Sequence, residues 1–408
     1  MAKVVSKATP RKWAFRARFR SNAFGWKGSN LACQRLKEAV AEIRMVAKAD
    51  PSLAAEGVVL LIERIWPALQ QVDSSSGSLG TAVWNTLDTL LPILGTAPLE
   101  TAVRASLLER LFAAIEEDGV DYLSPVKDQW GELCASPEVA MQWVERLRPS
   151  VLFAWKQPRG GRYARHESMC ASCLLAAERY EELFRFLVQD PIRMCWMRKF
   201  GVQALQRQGK LDEAIAYAEA SRGLNEPNAA IDRACEELLL AASRAEEAYS
   251  RYALSANEGM TGLATYRALV KKYPTMDKRR ILLDLVEHSG EPGRWFAAAK
   301  DSGFLDLALT FATTGRTDPM TLSRACRDFL EKDTAFSCAV GKLAVRRILQ
   351  GYGYELTNFD LMDAVERYLA AADRLGQGEE ARFWLSTAKA TPSYRDVLSR
   401  YATPSKFA

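Results

Sequence analysis

Three side chains with metal-binding chemistry stand at helical spacing near the middle of the chain. His166, Cys170 and Cys173 fall at i, i+4 and i+7, one face of a helix, and Cys195 supplies a further soft donor downstream. An imidazole and thiolates so held are the donors of a tetrahedral zinc site. The spacing matches no standard finger, however, and a stripe of buried cysteines gives the same pattern. His166 and His288 are the only histidines, so a histidine-based triad has little material. Paired acids recur at Glu181/Glu182 and Glu246/Glu247. Acid–base catalysis needs two carboxyls converging on one cleft. Adjacent acids on a helix point apart and read as solvated first-turn charges facing the helix dipole. No catalytic residue and no cofactor is assigned from these patterns.

The paired acids belong to a short phrase that recurs. It runs Arg179-Tyr180-Glu181-Glu182-Leu183, then Lys210-Leu211-Asp212-Glu213-Ala214, then Arg244-Ala245-Glu246-Glu247-Ala248. Leu183 and Ala214 are 31 residues apart, and Ala214 and Ala248 are 34 apart. Two helices and a turn occupy that length. Fainter echoes follow at Gly303-Phe304-Leu305-Asp306-Leu307-Ala308 and Gly376-Gln377-Gly378-Glu379-Glu380-Ala381. Upstream, Leu31, Leu36, Val40, Ile43 and Val46 recur with helical period after Ser29, which reads as a cap. Further helices are expected from Pro51, with a kink at Pro67, and over 99–118, 122–134 and 137–148. The last of these is capped by Ser136. Asp73 or a serine of the loop that follows it is expected to cap the helix beginning near Val83. No stretch alternates with period two for long, so the fold class is all-α.

The segment from Gln206 to Pro227, QRQGKLDEAIAYAEASRGLNEP, resembles the turn and second helix of a tetratricopeptide repeat. Gly209 ends the first helix, Ala214 sits at the close helix–helix contact, and Tyr217 or Ala218 faces the core. The first helices depart from the family pattern at Gly201, Val202 and Leu205, so the array is tetratricopeptide-like and irregular. The resemblance implies an alpha-solenoid of stacked helix pairs over 166–402, with an inner concave face open to a peptide or a protein partner. The whole chain is also similar to bacterial helical-repeat proteins of unassigned function, which implies a cytoplasmic location.

Charge is unevenly spread. Residues 1–48 carry twelve Lys or Arg against Glu38 and Glu42, a net of +10, so the remaining 360 residues hold −5 to reach the chain's +5. Residues 1–28 form a basic arm with Trp13, Phe15, Phe19, Phe24 and Trp26. Such an arm is either an interaction tail or a segment folded against an acidic surface of its own protein. Its cations, Arg11, Lys12, Arg16, Arg18, Arg20 and Lys27, are candidate phosphate contacts. A second basic cluster, Lys156, Arg159, Arg162 and Arg165, lies in a Gly-containing linker over 156–165, between a helical region at 29–155 and the array. Lys271, Lys272, Arg279 and Arg280 extend the set.

Eight cysteines, most of them scattered singly through apolar pattern, suit a reducing compartment. No run reaches the length of a membrane-spanning helix. Tyr352, Tyr354 and Phe359 crowd one loop as candidate partner anchors. The leading expectation is a non-enzymatic scaffold that binds a protein partner. A nucleic-acid-associated protein using the basic arm comes second, and a metal-containing enzyme third.

Overall fold

The computed structural model describes residues 11–157, 164–191, 195–223 and 228–402. Those residues are helical throughout and contain no strand. None of the described helices is long and apolar enough to cross a membrane. The chain forms two compact units, Met1–Glu226 and Pro227–Ala408. The division therefore falls inside the expected array and not at the basic linker.

Unit 1 contains α1 (Ala14–Arg18), α2 (Ser29–Ala47), α3 (Pro51–Leu69), α4 (Ser78–Thr96), α5 (Thr101–Glu117), α6 (Ser124–Asp128), α7 (Trp130–Cys134), α8 (Pro137–Trp155), α9 (Glu167–Ala176), α10 (Tyr180–Gln189), α11 (Cys195–Arg207) and α12 (Leu211–Glu219). The arm folds back. Trp13, Phe15, Phe19 and Phe24 are buried, each large ring contributing about 1.5–3 kcal/mol of burial. The two acids among the twelve cations are what receive it. Glu42 accepts the Ala14 and Phe15 N–H groups at 2.9 and 3.2 Å, capping α1 from α2, and Glu38 pairs with Arg18 and Arg35. Ser29 is the first helical residue, with Gly28 at the cap position. Asp73 closes a turn onto the Ser75 N–H, leaving Gly77 to cap α4. Ser136 does cap α8, accepting from Val139 N–H at 3.2 Å.

The centre of unit 1 is α9, whose residues Glu167 to Leu175 are all buried. A helix apolar on one face needs one partner layer; a helix covered all round needs several. Here α6, α7, α8, α10 and α11 all pack on α9. Small side chains make this possible. A Cβ at Gly131 would strike the Ser172 carbonyl, so only glycine lets α7 come this close, and its N–H is held by Ser172 Oγ at 3.0 Å. Buried Arg104 fans out to the Leu94, Ala97 and Leu133 carbonyls at 3.3, 2.7 and 2.8 Å. One guanidinium thus satisfies the C-terminal carbonyls of both α4 and α7.

Unit 2 contains α13 (Asn228–Ala241), α14 (Ala245–Ala248), a π-helical turn (Tyr249–Ala253), α15 (Leu254–Ala256), α16 (Gly262–Lys272), α17 (Lys278–Ser289), a 3-10 turn (Pro292–Trp295), α18 (Phe296–Asp301), α19 (Leu305–Thr314), α20 (Pro319–Phe329), α21 (Thr334–Leu349), α22 (Asn358–Arg374), α23 (Gly378–Thr387) and α24 (Pro392–Ala402). Asp318 caps α20, and Thr357 with Asp360 forms a capping box on α22, as their spacing predicts. Glu236 is fully buried and accepts from Asn257 Nδ2, Tyr273 OH and Lys272 Nζ at 2.7, 2.7 and 2.8 Å. Tyr249 OH donates to Asp284 at 2.7 Å and its ring meets Tyr273 edge-on at 5.2 Å.

The recurring phrase has one backbone geometry in both units. Glu178, Gly209, Ser243, Gly303 and Gly376 all take positive φ. The next residue then bonds back five positions, in the pairs Arg179–Leu174, Lys210–Leu205, Arg244–Leu239, Phe304–Ala299 and Gln377–Ala372, at 2.8–3.0 Å. This is the left-handed helix stop of the Schellman type. Leu183, Ala214, Ala248, Ala308 and Ala381 follow, all buried. None of these five second helices has a side-chain cap; each carries acid in its first turn instead. The paired acids are thus dipole partners of helix starts, not a catalytic dyad.

Candidate functional site

The three zinc candidates whose side chains are described, His166, Cys170 and Cys173, are not gathered into a metal site. His166 Nε2 meets Glu116 Oε1 at 2.8 Å, and its ring lies 5.3 Å from that of Phe112. Cys170 and Cys173 are buried, with Cys173 in hydrogen-bond contact with Cys134. Burial pushes the Cys170 thiol up to about 12 and the Cys173 thiol well above its ordinary value, where neither supplies a thiolate readily. The side chain of Cys195 lies outside the described residues. Among the described residues no three His, Cys, Asp or Glu side chains are grouped to hold a metal ion.

The basic candidates disperse. Arg18 is paired with Glu38, and Arg11 lies over the Trp13 ring at 5.2 Å. Lys12, Arg16, Arg20 and Lys27 are exposed. In the linker, Lys156 is exposed, while Arg159 and Arg162 lie outside the described residues. Arg165 caps the end of α5 through the Ile115 and Glu116 carbonyls at 2.6 and 2.8 Å. Lys272 is committed to Glu236, Arg279 to Asp306 and Arg280 to Asp284. Of the aromatic loop, Tyr352 is covered by Arg347 at 4.8 Å, while Tyr354 and Phe359 are 85% and 79% exposed.

What the structure does bring together is a groove in unit 1. Two adjoining cavities, of ≈ 340 and ≈ 350 Å³, share Trp84, Ser124 and Asp128. The first is bounded by Trp84, Lys127, Arg165, Glu167, Ser168 and Trp196; the second continues past Asp88, Lys199, Phe200 and Gln203. Helices α4, α6, α9 and α11 supply all of these residues but Arg165, which precedes α9. Trp84 is 51% exposed although it sits on a helix with a well-formed apolar face. Its side chain lines both cavities.

Glu167 forms the floor. It is only 3% exposed, and its Oε2 accepts from the Trp155 indole N–H at 2.9 Å. Loss of water around the carboxyl raises it to about 7; the Trp155 bond opposes the rise, Asp190 adds to it, and an Ala164 backbone hydrogen bond and the Lys127 charge oppose it. A carboxyl with a raised pKa at the edge of a cleft is a candidate functional position. The cations nearby are already engaged. Lys127 Nζ pairs with Asp121 at 2.9 Å, and Lys199 pairs with Asp128.

Of the groove residues, the sequence pointed only to Arg165, and for a different role. Glu167 carried a signal: it is one acid at the start of ESMCASCLLA, a helix with no polar face to receive it. Trp84 and Trp196 carried none, because an aromatic at helical spacing reads as core. No protein-family model matches this chain and no curated protein matches it, so the chemistry of the groove rests on its own residues.

Proposed function

We propose that this chain is a non-enzymatic, tetratricopeptide-like helical-repeat protein that holds a segment of a protein partner. The groove of unit 1 is the holding site, with Trp84 and Trp196 as its anchors. One observation carries the reading: two indoles stand on separate rigid helices at the mouth of a continuous groove whose cations are already ion-paired. Aromatic anchors on pre-formed scaffolds supply contact area at low entropic cost, which is how binding hot spots work. The five repeated helix stops support the repeat architecture. The binding role expected from the sequence is thereby kept, while its place moves from a concave face over 166–402 to helices between residues 78 and 207.

The test is a selection of linear segments from a displayed peptide library on the full chain. Trp84→Ala and Trp196→Ala should each weaken the selected segments about 10-fold or more. Phe383→Ala, at an exposed ring of unit 2, should leave them unchanged. Segments that bind the two groove variants as well as the parent chain would refute the assignment.

A second reading, nucleic-acid binding by the arm, keeps one observation in its favour. Lys12, Arg16, Arg20 and Lys27 are exposed and have no ion pair among the described residues. Four of the five rings that would stack on bases are buried, however, leaving Trp26 alone. Arg16→Ala with Arg20→Ala should lower affinity for a labelled single-stranded oligonucleotide and flatten its salt dependence. Anisotropy that is unchanged in the double variant ends that reading.

A further inference from the structure

We infer that the N-terminal layer of unit 1, formed by the arm and the outer side of α2, binds the phosphate backbone of a double-stranded nucleic acid. This rests on the nucleic-acid reading of the arm above and is separate from the groove. It names the form of nucleic acid and adds a second helix to the surface.

Unit 1 treats its cations in two ways. Beyond residue 48, every described lysine and arginine of the unit except Lys156 has a carboxylate or a carbonyl for a partner. Residues 11–48 hold ten cations and two acids, a net of +8. Both acids are committed within the layer, Glu42 to the start of α1 and Glu38 to Arg18 and Arg35. Lys12, Arg16, Arg20 and Lys27 of the arm are left exposed, without an ion pair among the described residues. So are Lys37 and Arg44 of α2 and Lys48 at its C-cap.

The three cations on α2 stand at i, i+7 and i+11. That spacing puts them within about 40° of arc and along about 16 Å of helix, turned away from the side that buries Leu36, Ala39 and Ile43. The negative end of the α2 dipole offsets about half a charge beside Arg44 and Lys48 and leaves the rest. Helix α1 lies alongside, held to α2 through Glu42 and Arg18. Arm and stripe thus belong to one layer. Like charges crowded on one layer repel, and an array of phosphates relieves that repulsion while releasing its own counterions.

The placement of the rings decides which array fits. Single strands are held by stacking bases on exposed aromatics. Here Trp13, Phe15, Phe19 and Phe24 are buried, and Trp26 alone stands out, 65% exposed. A duplex keeps its bases stacked on one another and its phosphates outside, one charge per about 1.7 Å of axis. It asks for fixed cations and no stacking platform, which is what this layer offers.

The test is fluorescence anisotropy of the full chain with a labelled duplex of about 20 base pairs and with either of its separated strands. The duplex should bind at least about 5-fold more tightly than a strand. Lys37→Ala, Arg44→Ala and Lys48→Ala combined should weaken duplex binding about 10-fold or more. The same variant should lower the slope of log affinity against log salt by about 2–3, near 0.9 per lost phosphate contact. These side chains are exposed and unpaired, so circular dichroism should show the variant folded. Trp84→Ala in the groove, and Arg185→Ala at a cation already paired with Glu181, should change nothing. Equal affinity for duplex and strand, or an unaltered slope in the triple variant, overturns the inference. Tighter binding of poly-glutamate or of phosphatidylserine vesicles than of the duplex overturns it too. If Arg16→Ala with Arg20→Ala weakens strand binding while the α2 variant leaves duplex binding intact, the duplex surface falls and the arm reading stands. If neither duplex nor strand binds, both fall together.

Discussion

Two buried glutamates, one in each unit, differ in what the surrounding fold returns to them. Glu236 in unit 2 is fully buried and surrounded by donors: a lysine, a tyrosine hydroxyl and a side-chain amide. Tyr273, which donates to it, has its own hydroxyl pushed up by burial and by that hydrogen bond. Glu167 in unit 1 is nearly as buried but keeps an indole as its side-chain donor and borders a cavity. Burial alone therefore does not fix how a buried acid is compensated. What distinguishes them is whether the surrounding helices return in hydrogen bonds and charge what water would have given.

The comparison breaks first, and hardest, at Glu236. Glu236→Ala strips the acceptor from Asn257 and Tyr273 and the partner from Lys272, and should cost unit 2 about 3 kcal/mol or more. Urea unfolding monitored within that unit measures it. A loss under 1 kcal/mol would mean that the network is ornamental.

Glu167 should behave in the opposite sense. Its carboxyl rises from 4.5 to about 7 on folding. The folded chain then binds the proton more tightly, so this contribution is complete below pH 4.5 and disappears as pH climbs through 7. Glu167→Gln should therefore gain on the parent chain across that window, by on the order of 2 kcal/mol after allowing for solvent reaching the cavity. Melting curves of parent and variant at pH 4.5 and pH 8 test the sign. A difference that does not change between the two pH values would place Glu167 with Glu236 as a structural group.

The smallest effect compares the units through a feature they share. Glu178 in unit 1 and Ser243 in unit 2 hold the left-handed position that glycine holds at Gly209, Gly303 and Gly376. Both are exposed, so nothing but backbone strain is at stake. Glu178→Gly and Ser243→Gly should each stabilise by about 0.5–1 kcal/mol. A gain in one unit and a loss in the other would show that the two turns are not equivalent, and would weaken the repeat reading.

Much of the helical layout was legible because its causes are local. The left-handed stop, the acids in the next turn and the small residue that follows recur within a few positions, and period and caps mark most helix starts. Errors arose where the cap came from elsewhere. Ser29 and Asp73 have the right side chains for caps, yet Ser29 is itself the first helical residue behind Gly28 and Asp73 is spent on a tight turn. The one-face spacing of His166, Cys170 and Cys173 is real. It describes a helix covered on every side by neighbours, and no spacing along one helix can report how many neighbours it has. The opposite charges within residues 1–48 already held the answer to the arm's fate, since Glu38 and Glu42 are the two acids that receive it.

By itself, then, the sequence determined the helical class, the repeating turn and the strongly basic start, because each depends on residues close together in the chain. Only tertiary structure decided that Trp84, Lys127, Glu167 and Trp196 share one groove. They come from four helices spread over more than a hundred positions, and their burial, pairing and field exist only once those helices have packed.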